Sequence, residues 1–170
     1  MSTFNSKSLF QKVAQSDVMK IIVAISLCYV IVHFIQVAVV IGGEPESIFI
    51  QSLWNKIALP TNIKSFWRQP WSIITFMFND MSIMRILGNM IWLWLFGTVL
   101  EDLLGKNKVL PIFITGGLFT ALCFWAFGAL TSLTETHFAG CTPSVIAVAV
   151  AAIIFKPKYE FFMIMIIIIL

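Results

Sequence analysis

Arg85 and Asn89 stand one helical turn apart in the stretch Met81–Leu100, where Arg85 is the only charged residue. Two side-chain donors on one face of an apolar helix can stabilise an oxygen that gains negative charge during a reaction. An arginine near a helix end can equally snorkel to water. Steps of four residues carry the same ridge through Leu93, Gly97, Glu101 and Gly105, so it is polar at its start, small in its middle and acidic at its end. Such a ridge belongs inside a bundle, turned away from lipid. Glu101, at the far end, reads as a structural cap or hydrogen-bond partner rather than an acid catalyst. Asp80 and Arg85 are five residues apart, which on one helix puts them on different faces, so no ion pair between them is expected.

A second polar cluster, Gly140-Cys141-Thr142-Pro143-Ser144, opens a run rich in small residues. A threonine hydroxyl becomes a nucleophile when a base activates it. The same residues also make a helix start without chemistry. Proline disfavours α geometry at Thr142, the hydroxyl can cap, and Pro143 suits the first helical position. His137 is the histidine nearest to Thr142 in sequence and reads as a surface loop residue ahead of a base.

Composition decides where these groups work. The chain is 59% hydrophobic and 11% charged, with a mean hydropathy of +0.95, against roughly 45–50% and 25% in soluble domains. It is an integral, multi-pass membrane protein. A net charge of +3, with the lysines at segment ends, argues against a nucleic-acid partner. Cys28, Cys123 and Cys141 lie in or beside apolar runs without paired spacing, and His33 and His137 are far apart. Neither a disulfide framework nor a metal site is suggested.

The elements that must position the polar groups follow from hydrophobic runs. Residues 1–20 are expected to form a cytoplasmic interfacial segment ahead of a membrane domain over 21–170. A first span covers Ile21–Gly43, long enough for the roughly 20 residues a bilayer requires. Residues 44–80 form a long loop in which Trp54, Trp67 and Trp71 are interleaved with Lys56, Lys64 and Arg68, as a half-buried interfacial loop needs. The second span follows, then a turn at Gly105–Lys108. A third span over Val109–Thr134 has Gly116, Gly117 and Ala121 for close approach. A polar connection over 131–139 leads to the fourth span, Phe138–Phe155, expected at the centre of the bundle. A fifth apolar segment starts at Phe161 and has ten residues after Glu160, about half of a 30 Å hydrocarbon core. The chain is therefore expected to be a fragment, a frameshifted product or a decayed gene, with further helices missing. Lys7, Lys12, Lys20, Lys106, Lys108, Lys156 and Lys158 on one side, against Lys56, Lys64 and Arg68 on the other, place the N-terminus in the cytoplasm.

Taken together, these residues resemble the rhomboids, the intramembrane serine proteases, over roughly residues 55–160. The most specific matches are Trp71, Phe78, Asn89-Met90, Gly97…Glu101…Gly105 and Gly140 with the small-residue helix behind it. The resemblance implies an all-α transmembrane helix bundle, here about four complete spans and a truncated fifth, in a bacterial inner membrane. It also implies a serine-type endopeptidase that uses no cofactor, with the bilayer and the transmembrane segments of other proteins, as substrates or clients, for partners. Carried over residue by residue, Thr142 holds the nucleophile position, Gly140 is the motif glycine, Asn89 is the oxyanion asparagine and Arg85 stands at the oxyanion-histidine position. The departures fall where the chemistry should be. Thr142 replaces serine, Pro143 replaces the second motif glycine, Arg85 replaces histidine, Asp80 stands where a further histidine is common, and Ser72 replaces the arginine after the tryptophan. The helix that would carry the base histidine is expected to be among the missing helices. As written, the chain is expected to be inactive as a protease. The alternatives are a pseudoprotease that binds transmembrane clients, or a nonfunctional fragment.

Overall fold

The computed structural model describes residues 16–43, 45–131 and 137–155. Residues 1–15 of the expected interfacial segment and the segment expected after Glu160 lie outside them. Ser16 opens the first long helix, α1 (Asp17–Ile41), by accepting the Met19 N–H on its side chain, a conventional N-cap. The helix thus begins four residues before the expected Ile21. Val18, Ile21, Ile25 and Val32 recur on one buried face, while Val30, Phe34 and Ile41 are exposed, as a helix flanked by lipid on its other sides requires.

α2 (Ile83–Leu104) is capped by Ser82 and stops at Gly105, whose φ of +91° few residues other than glycine adopt. α3 (Val109–Thr131) follows directly. α1, α2 and α3 are each long and apolar enough to cross a membrane. α4 (Thr142–Phe155) has 14 described residues, or about 21 Å of helix. It starts four residues later than expected because His137-Phe138 is extended: these two residues (β2) pair antiparallel with Leu59-Pro60 (β1), Leu59 opposite Phe138 and Pro60 opposite His137.

The chain is an all-α, polytopic bundle. α4 packs mainly against α2 and α3, and α1 against α2. Leu93 and Phe96 of α2, Phe113 of α3 and Val148 of α4 are buried in one core, together with Phe76 and Met77 from the loop. The expected close approach on α3 is present: a side chain at Gly116 would collide with Ala147 of α4. α4 is not enclosed on every side, since Ile146, Val150 and Ile154 are exposed among the described residues.

The long loop is more ordered than an irregular connection. It forms helical turns over Glu46–Ile57 with a π-helical stretch at Ile50–Trp54, then β1, a turn at Ile63–Phe66, and a final one over Ser72–Phe78. Side chains tie these pieces down. Thr75 Oγ1 donates to the Ile57 carbonyl at 2.7 Å, Gln69 Nε2 to that of Asn55 at 3.0 Å, and Trp125 Nε1 of α3 to that of Pro60 at 3.0 Å. The loop is half-buried as expected: Phe49 and Trp54 point inward, Trp67 and Trp71 outward.

Candidate functional site

Ser82 sets the geometry at the start of α2. Because Ser82 is the N-cap, Asp80 lies outside the helix, where the spacing rule for helical faces has no force. The Asp80 carboxylate bends back over the cap, and its Oδ1 accepts the Ser82 N–H at 3.0 Å and the Arg85 Nη2 at 2.8 Å. The expectation that Asp80 and Arg85 do not pair is therefore corrected. The Arg85 side chain is 60% exposed and that of Asp80 only 1%, so the arginine keeps one edge in the open while its other edge covers a buried carboxylate. Oδ2 of Asp80 has no hydrogen-bond partner among the described residues. It faces Gly140, where a Cβ would stand 3.5 Å away.

One turn further along α2, Asn89 is buried and reaches α4. Its Nδ2 donates to Thr142 Oγ1 at 2.9 Å and lies 3.1 Å from Cys141 Sγ. A primary amide carries two N–H donors, and both are taken up here. The Thr142 hydroxyl thus has a partner on another helix and does not cap its own. Cys141 supplies the first helical acceptor instead, its carbonyl taking the Val145 N–H at 3.1 Å. Thr142 is the first residue of α4, and Pro143 stands one place deeper than expected, still within the first turn, where a missing N–H breaks no helical bond. The Gly140 N–H donates to the Phe76 carbonyl at 3.0 Å, which fixes the approach to α4 against the loop.

Of the four residues singled out by sequence, Asn89 and Thr142 are therefore in direct contact. Gly140 stands beside Asp80, and Arg85 joins the group through Asp80. His137 lies in β2, opposite Pro60. Asn89 and Thr142 also form the polar end of an open groove of about 290 Å³ between α2 and α4, completed by Trp92, Val145, Ile146 and Ala149. Sequence reasoning missed these four, although the signal was present. Trp92 is three residues after Asn89, and Val145, Ile146 and Ala149 are three, four and seven after Thr142, spacings that share a helical face. It also passed over Cys141.

A model of the Rhomboid domain matches residues 67–170, well over half of the chain. The chain belongs to the rhomboid family. The match takes in the second half of the loop, α2, α3, α4 and the whole polar cluster, so the rhomboid framework and the Asp80–Arg85–Asn89–Thr142 group belong to the same unit. Rhomboids are generally intramembrane proteases. A search of curated proteins returned no match.

Proposed function

We propose that this rhomboid binds transmembrane segments of other proteins in the groove between α2 and α4 and does not cleave them. The observation that carries this reading is the prior engagement of the Asn89 amide, with one edge of Arg85 paired to Asp80. Arg85 is committed to Asp80, and both N–H groups of Asn89 to Thr142 and Cys141. Stabilising a tetrahedral intermediate requires donors aimed at the place where charge develops; here Arg85 Nη2 is aimed at the Asp80 carboxylate, and the Asn89 amide at Thr142 Oγ1 and Cys141 Sγ. The groove itself is apolar apart from its Asn89–Thr142 end, the lining a helix from the bilayer would meet. The lysine distribution supports an N-terminus inside, the resemblance to the rhomboids supports a bacterial inner membrane, and the division into an N-terminal segment (1–20) and a membrane domain (21–170) belongs to the same reading.

A photoreactive residue placed at Ile146 in membranes carrying a transmembrane reporter tests it. Crosslinks should form equally with Thr142 and with Thr142→Ala, and the reporter should stay intact. Cleavage that Thr142→Ala abolishes would overturn the proposal in favour of a second reading, a peptidase with Thr142 as nucleophile. The placement of Thr142 in the lining of the groove is what favours that alternative.

A further inference from the structure

The stretch between Glu46 and Asp80 contains three basic residues, Lys56, Lys64 and Arg68, and no acidic one. All three are exposed. Asp80, the next carboxylate along the chain, is buried against Arg85. The apolar residues of the stretch divide into two sets. Phe66 is turned inward onto the Trp125 ring of α3, at 4.7 Å between centroids, which pins the turn Ile63–Phe66. The residues on the turn's outer side are Ile63, 56% exposed, and Trp67, 77% exposed, with Lys64 and Arg68 beside them at the same four-residue spacing. The following turn exposes Trp71 and Ile74. Trp71 is held by its Nε1, which donates to the carbonyl of Lys56 at 2.9 Å, so the third cation is tied to the same surface.

We infer that this face of the loop is a docking surface for anionic phospholipid. The loop joins the end of α1 to the start of α2, two helices long and apolar enough to cross a membrane, which places it at a membrane boundary. There the indole and isoleucine side chains enter the headgroup layer, and the cations meet lipid phosphates. The charge complementarity selects a net-negative headgroup. A zwitterionic one returns its own positive charge to the same three cations. The surface is separate from the groove and does not rest on the proposed client binding.

The full chain, reconstituted in mixed phosphatidylcholine and phosphatidylglycerol bilayers, should show a preference for spin-labelled phosphatidylglycerol over spin-labelled phosphatidylcholine. Replacing Lys56, Lys64 and Arg68 by glutamine should weaken that preference, by up to about fivefold for each charge, and high salt should do the same. Lys106→Gln with Lys108→Gln, at the other end of the bundle, should leave it intact. In a second measurement that needs no multiple variant, brominated phosphatidylglycerol should quench a component of the tryptophan emission that Trp67→Phe removes. Equal association of the two lipids, a preference that survives loss of the three cations, displacement by inorganic phosphate, or unchanged quenching in Trp67→Phe would each overturn the inference.

Discussion

The two ends of α2 each carry a carboxylate in the bundle, and the two carboxylates are treated differently. At the Leu104 end, Glu101 accepts the Ser16 hydroxyl on both oxygens, at 3.0 and 2.9 Å, and the Val18 N–H at 3.0 Å. The partners all belong to the opening turn of α1, where an anion also meets the positive end of the helix dipole. At the Ile83 end, Asp80 has one oxygen saturated by Ser82 and Arg85 and the other unmatched. The Glu101 end therefore joins two helices, whereas Asp80 ties together only Ser82 and Arg85 at the start of α2. The lesson is that the helix-joining contact and the polar cluster occupy opposite termini of a single helix and rest on separate contacts.

The largest test of that separation is at Gly97. A Cβ there would stand 2.5 Å from Val18 Cγ2, so Gly97→Leu should push α1 off α2 and lower stability by about 3 kcal/mol. Thermal unfolding in detergent measures this, and an unchanged midpoint would mean that α1 and α2 are not closely packed. Glu101→Ala should cost about 2 kcal/mol, the range for hydrogen bonds to a charged group, and the same unfolding experiment should show Ser16→Ala adding little on top of it. Additive losses would show that the two act independently. The smallest effect belongs to the other end. Arg85→Gln should cost about 1 kcal/mol, since its side chain is mostly exposed. Adding Asp80→Asn should recover part of that loss, because an amide oxygen still accepts the Ser82 N–H without leaving a buried charge unpaired. A double variant less stable than Arg85→Gln alone would contradict the described pairing.

Much of the scaffold end was legible because it obeys one helical period. Gly97, Glu101 and Gly105 repeat every fourth residue, and the structure uses Gly97 for close approach, Glu101 as a hydrogen-bond partner and Gly105 as the stop. Of the polar cluster, the residues could be picked out from the sequence, but not how they bond. The spacing rule that separated Asp80 from Arg85 holds only if both are helical, and α2 begins only after Ser82. Thr142 reads locally as a cap, but a buried amide from another helix outcompeted its own backbone. The start of α4 was displaced for a similar reason, because the extended pairing of His137-Phe138 with Leu59-Pro60 is non-local and leaves no periodic trace in so short a stretch. The small-residue positions of α3 carried their meaning directly, since close packing depends on side-chain size alone.

That two-residue β pairing has a mechanical consequence. Phe138 is held opposite Leu59, and its ring rests near those of Phe76 and Phe124. Only Ala139, Gly140 and Cys141 separate it from Thr142, and Gly140 is itself bonded to Phe76. The loop and the threshold of α4 are thus riveted into one stiff plate. A load applied to the outer face of the loop is transmitted to the Thr142 backbone through a linkage three residues long, with little slack to absorb it.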